Sequence, residues 1–131
     1  MIYEMRTYSF LPLDLPKYLE HAERVGRPVR GNDYGVNCGY WTSETGRLNQ
    51  VWHLWRYDSY AHREDLRKKL SQNRDWTDGY VNVIKEWVLN QDIRIMNPHS
   101  DFAPPSGEGN IYEYRFYRLA VGTAGKWISE F

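Results

Sequence analysis

The sequence predicts an α+β domain of ferredoxin-like type, with elements in the order β-α-β-β-α-β. Three observations carry this. Four short segments read as strands, two segments between them show helical spacing, and a glycine-containing turn joins the middle two strands into a hairpin. At 131 residues the chain is long enough for one real core but not for two.

Residues 2–11 (IYEMRTYSFL) alternate as a strand, with Glu4, Arg6 and Tyr8 on one face and Tyr3, Met5, Thr7 and Ser9 on the other. Asp14 is placed to cap a helix that carries Pro16 in its first turn. Leu15, Tyr18, Leu19, Ala22 and Val25 keep helical spacing, and Gly26 with Pro28 is expected to close the segment. Residues 30–34 read as a loop and 35–45 as the second strand. Glu44-Thr45-Gly46-Arg47 is a turn signal, Gly46 being free to take positive φ. The third strand follows within GRLNQVWHLWRYDS (46–59). Asp58 and Ser59 can cap the next helix, which runs through AHREDLRKKLSQN and resumes after a break near Asn73. Residues 87–96 (WVLNQDIRIM) read as the last strand, ended by Asn97-Pro98.

Residues 1–97 thus form one unit, and the Pro- and Gly-rich residues 98–110 form a linker. A repeat begins beyond it. IYEMRTYSFLPLDLPKYLEHA (2–22) and IYEYRFYRLAVGTAGKWISEF (111–131) align without gaps, with Ile, Tyr, Glu, Arg, Tyr and Lys coinciding. Residues 111–131 are therefore expected to be an incomplete second repeat, a strand plus the start of a helix. Such a piece cannot bury its own apolar face, and packing on the sheet edge or on a partner is expected of it.

The third strand carries aromatic and hydrogen-bonding residues on both faces, unlike a strand with one solvated side. Both faces of the sheet are expected to be covered, one by the two helices and the other by a second sheet, as in a dimeric α+β barrel. In the register that pairs Glu4 with Arg94 and Arg6 with Asp92, a charged ladder faces the lumen. Arg6, Tyr8, Tyr40, His53, Trp55 and Arg94 are the candidate ligand-binding residues. Arg6 or Arg94 would meet an anionic group, His53 and Tyr40 would supply hydrogen bonds, and Trp55 a stacking face. His53 is the candidate catalytic residue, as a proton-transfer group; a hydrogen-bonded core histidine is the plainer reading.

Several function classes have no support in the chain. Seventeen Lys and Arg balance seventeen Asp and Glu, and the near-neutral pI of 6.9 is not the basic footprint of a nucleic-acid binder. Cys38 stands alone, so no intrachain disulfide forms. His21, His53, His62 and His99 lack the spacing of metal ligands. There is no G-x-S-x-G motif and no phosphate-binding glycine loop, so no metal and no cofactor are expected. Arg67-Lys68-Lys69 reads as a solvated helix face balanced by Glu64 and Asp65. Neither a signal-peptide h-region nor an apolar run of membrane-spanning length is present, and a cytoplasmic location is expected.

The N-terminal IYEMRTY, the hairpin GYWTSETGRLNQVWHLWRYDS and the late QDIRIM resemble the NIPSNAP family, a branch of the dimeric α+β barrel superfamily. The resemblance covers residues 1–97 and is closest over 39–59. It implies a ferredoxin-like unit in single or tandem copies, a homodimer, and a lumen that related families use as a small-molecule pocket. Animal members are linked to mitochondria and to vesicular or mitophagy roles, and bacterial members mostly lack an assigned reaction. The motifs of related monooxygenases and cyclases are not in this chain, so no catalytic residue is carried over. The expectation is a protein that binds a small apolar or aromatic molecule. A cofactor-independent oxygenase, isomerase or cyclase is one alternative, and a non-enzymatic interaction or scaffold protein is the other.

Overall fold

The computed structural model describes residues 1–130; Phe131, the last residue of the expected second repeat, lies outside the described residues. Strand β1 (Ile2–Phe10) leads into helix α1 (Asp14–His21), a π-helical turn (Ala22–Gly26) and α2 (Arg27–Arg30). The hairpin strands β2 (Val36–Thr42) and β3 (Gln50–Tyr57) follow, then α3 (Tyr60–Ser71). After it come α4 (Arg74–Trp76), a second π-helical turn (Thr77–Val81), α5 (Asn82–Ile84), β4 (Val88–Met96) and finally α6 (Ala124–Glu130). One antiparallel sheet has the strand order β2-β3-β1-β4. That is the α+β, ferredoxin-like order expected from the sequence.

β1 is central and buried on both faces. Tyr8, Phe10 and Val51 pack beneath the helices with Tyr18, Ala22, Tyr80 and Ile84, while Ile2, Trp55 and Tyr57 extend this layer. Tyr3, Met5 and Leu54 form a second cluster on the opposite face with Trp41, Trp52, Met96 and Phe102.

The first helical segment runs further than Gly26 and Pro28 suggest. Pro28 lacks an N–H and would clash with a carbonyl one turn back in a straight α-helix. The π-helical turn before it relaxes that geometry, and the proline stands in the first turn of α2. The chain therefore stays helical through Arg30 instead of entering a loop there. Asp14 lies inside α1, not at its cap, and its carboxylate pairs with Lys17 (2.9 Å). Ser59 caps α3, its hydroxyl accepting from the His62 N–H (3.1 Å). Asn73 restarts the helix after the break by accepting from the N–H groups of Asp75 and Trp76.

The β1–β4 register differs by one residue from the charge-matched pairing. Glu4 faces Ile95 and Arg6 faces Ile93, while Met5 faces Arg94 and Thr7 faces Asp92. A one-residue slip reverses every side chain of a strand. Arg94 and Asp92 thus stand on the face away from the helices and pair with each other (3.6 Å), and no Glu4/Arg6/Asp92/Arg94 ladder forms.

Residues 111–120 carry no strand, since no ladder partner is available to them among the described residues. Extended chain crosses the open face of the sheet instead of its edge. Tyr112 meets Trp41 on β2 (ring centroids 6.0 Å) and Tyr114 meets Trp52 on β3 (5.2 Å). Arg94 on β4 lies 4.5 Å from the Phe116 ring centre. The residues between them point the other way, where Arg115 pairs with Glu113 (2.7 Å) and Tyr117 packs on Trp127 of α6 (5.1 Å).

Candidate functional site

Polar residues concentrate under the helices, on the face of β1 that carries Glu4, Arg6 and Tyr8. Glu4 is fully buried (0% exposed) and holds β1 to α3. It accepts from Arg6 Nη1 (2.9 Å) on one oxygen and from the Nε and Nη2 of Arg63 on the other. Burial alone would raise its pKa, but the Arg6 and Arg63 charges and hydrogen bonds outweigh it and hold the carboxyl below its ordinary value. Arg6 also donates through Nε to the Tyr8 hydroxyl (3.0 Å).

His53 sits opposite Arg6 on one neighbouring strand and Tyr40 on the other. The Trp55 indole N–H donates to His53 Nδ1 (2.7 Å). Indole nitrogen can only donate, so the imidazole proton resides on Nε2, which is buried without a partner. The ring stacks on Tyr40 (centroids 4.8 Å, 6° between planes) and meets Tyr8 edge-on (4.8 Å, 88°). Burial first, then the Arg6 and Arg30 charges, pushes its pKa well below 6.5. In this state the ring is neutral and has no free lone pair, so it is arranged as a hydrogen-bond donor and not as a base. Burial also pushes the Tyr40 hydroxyl up to about 12.

Five of the six expected ligand-binding residues, Arg6, Tyr8, Tyr40, His53 and Trp55, come together on this face. Arg94 does not; it stands across the sheet beside Phe116. The cluster borders a cavity of about 230 Å³ between the helices and the sheet. Arg6 and Tyr8 form part of its wall, and Arg30, Arg67, Trp76 and Tyr80 supply more of it. A larger depression of about 330 Å³ lies on the other face beneath residues 97–103, but Asp101 is its only charged wall residue. Converging polar groups among aromatics distinguish the first from the second.

Arg30, Arg67, Trp76 and Tyr80 were not singled out by the sequence. Arg30 was hidden by its expected place in a loop; in fact it ends α2, 3% exposed, with its guanidinium 3.4 Å from the Trp55 ring centre. Arg67 corrects the reading of Arg67-Lys68-Lys69 as one solvated face, because Arg67 is half-buried while both lysines are exposed. A signal was available: Arg63, Leu66, Arg67 and Leu70 have the spacing of an inward helical stripe. Tyr80 belongs to the second π-helical turn and packs so tightly on the first that a Cβ on Gly26 would lie 2.4 Å from its ring.

Among the described residues there is no group of three or more His, Cys, Asp or Glu arranged to hold a metal ion. None of their helices is long and apolar enough to cross a membrane.

Fold and site together define a ferredoxin-like α+β domain with an arginine- and aromatic-lined cavity beneath its helices. The chain belongs to the NIPSNAP family, whose family model matches residues 3–103. It is 29% identical to human Protein NipSnap homolog 3A, over 100% of this chain and 53% of that protein. The chain thus spans about half the length of the curated relatives it matches first. An uncharacterised NIPSNAP domain protein from Burkholderia xenovorans superposes with a TM-score of 0.72 at 30% identity, over 80% of this chain and 100% of that one. A Nitrosomonas europaea protein assigned to the antibiotic biosynthesis monooxygenases superposes at 0.58, over 76% of this chain and 100% of its own, but at 10% identity it shares the fold alone.

Proposed function

We propose that this NIPSNAP domain binds a small molecule with an apolar or aromatic part in the cavity bounded by Arg6, Tyr8, Trp76 and Tyr80. The observation that carries this reading is the meeting of buried arginine and aromatic side chains, beside aliphatic ones, around one partly open space. His53 and Tyr40 hold the wall from behind: both touch Tyr8 or its neighbours, and neither lines the cavity itself. Binding needs no cofactor in this reading. Ser71 is exposed and lines the cavity, so extra bulk there is tolerated by the fold. A panel of small aromatic molecules, titrated against intrinsic tryptophan fluorescence, should yield ligands for the native chain that Ser71→Trp no longer binds. Equal binding by both proteins would move the site elsewhere.

A second reading, an interaction role, is favoured by the aromatic row on the open sheet face. Tyr112, Tyr114 and Phe116 align with Tyr3, Met5 and Thr7 in the repeat, and both sets turn toward the same layer. Sheet-on-sheet pairing of two such units, within a chain or in a homodimer, would use this layer. Sedimentation of the chain over a range of concentrations tests the homodimer.

A further inference from the structure

We propose that the molecule taken by the cavity is an anion, a small aromatic carboxylate or phosphate whose charged group meets Arg30 and Arg67. This rests on the cavity being the binding site, and adds the chemical class of its occupant.

The argument is one of uncompensated charge. Glu4 is the one carboxylate buried in this layer among the described residues, and it is already shared by Arg6 and Arg63. Arg30, buried as deeply as the core, has no carboxylate partner among the described residues. Its Nη2 donates to the Tyr57 hydroxyl (2.8 Å), a neutral group that burial keeps protonated, and its Nε is buried with no partner at all. A guanidinium cannot shed its proton at neutral pH, so this charge must be carried as it stands. Stacking on Trp55 at 3.4 Å offsets part of its lost hydration, but an aromatic face does not neutralise a cation.

Arg67 adds to the excess. It reaches the same cavity from α3, makes no ion pair among the described residues, and is disfavoured as a cation by burial and by Arg6, Arg63 and Arg30, which together outweigh the attraction of Glu4. Lys85 stands at the rim. A low-dielectric space lined by one sign of charge focuses a field that favours an anion. Guanidinium groups are suited to carboxylate and phosphate through paired N–H donors. Trp76 and Tyr80, packed on each other, give the wall an aromatic surface for the rest of the molecule. At about 230 Å³ the space falls below the range of drug-sized pockets, which sets the scale at benzoate or phenyl phosphate.

The test uses the full chain and five probes of related shape or charge: benzoate, phenyl phosphate, inorganic phosphate, benzyl alcohol and benzylammonium. Isothermal titration should show benzoate or phenyl phosphate binding at least ~10-fold more tightly than benzyl alcohol, with benzylammonium excluded and the anion affinity falling as salt rises. Arg67→Gln, at a half-buried position that can be changed without opening the core, should weaken the anions ~10-fold or more and leave benzyl alcohol unchanged. Its thermal midpoint should equal or exceed that of the native protein, since a repelling charge is gone. Arg30→Gln should act in the same direction, with circular dichroism confirming its fold. Benzyl alcohol bound as tightly as benzoate would overturn the anion assignment and leave the cavity reading intact. Failure of every probe to bind would remove both.

Discussion

Glu4 is the residue on which the helix-to-sheet contact turns, because one carboxylate neutralises two arginines from different elements. Glu4→Gln would leave Arg6 without a carboxylate partner and Arg63 with only the half-exposed Glu64. Breaking a buried pair by removing one partner costs about 3–5 kcal/mol, and chemical denaturation of this variant should show a loss of that order. His53 gives a pH signature at the same scale. Its folded-state pKa lies below 6.5, so under acid the unfolded chain takes up a proton that the folded chain refuses. Stability is then full above about pH 6.5 and falls as pH drops below it, by up to about 1.4 kcal/mol per pH unit. Denaturation between about pH 5 and 7.5 should show this slope, and His53→Asn should flatten it. Glu4 acts lower on the scale. With its folded pKa below 4.5, its contribution is present above that value and is lost as pH falls through the lowered one.

The helices show how local irregularity is set by neighbours. Each helical layer carries a π-helical turn, and the two meet where Gly26 approaches Tyr80. A methyl group at position 26 would have to displace a buried ring. Gly26→Ala should therefore lower stability by about 1–3 kcal/mol, the range for overpacking, although alanine favours helix over glycine. If thermal denaturation showed Gly26→Ala to be stabilising, the contact between the two turns would not be tight. The caps are simpler. Ser59→Ala removes the acceptor for the His62 N–H and should cost about 1 kcal/mol, read as a lower denaturation midpoint. These caps and both hairpin strands were legible in the sequence because they depend on neighbours within a few residues. The end of the first helix was not: Gly26 and Pro28 are helix-ending signals, and only packing against Tyr80 and Trp55 keeps the chain helical through Arg30.

For the whole molecule, the open face of the sheet is the feature with the largest consequence. It presents Tyr3, Met5, Trp41, Trp52 and Leu54, and Phe102, Tyr112 and Tyr114 pack on Tyr3, Trp41 and Trp52. A chain ended at residue 97 would uncover this layer. Such a protein should be less stable to denaturant and should self-associate more than the full chain in sedimentation experiments. Unchanged stability and assembly would mean that residues 98–131 have no structural role. The Glu113, Arg115 and Tyr117 side chains repeat the local pattern of Glu4, Arg6 and Tyr8, down to the acid–arginine pair two residues apart. In β1 that pattern is covered by helices, whereas here it faces outward.

The order of the elements, the hairpin, the cap of α3 and the helix break near Asn73 were determined by the sequence alone, because each depends on local spacing or on residue type at a turn. Arg6, Tyr8, Tyr40, His53 and Trp55 could be named from the sequence, but which face His53 takes depended on the register of β1 with β3, which pairs Arg6 with His53. The tertiary structure decided the rest. A one-residue choice of register between β1 and β4 sent Arg94 to the far side and set Ile93 and Ile95 beside Arg6 and Glu4. The inward turn of Arg30 and Arg67 came from the packing of α2 and α3 on the sheet, which no window of the sequence contains. That packing, more than the tryptophan-rich strand, makes the cavity.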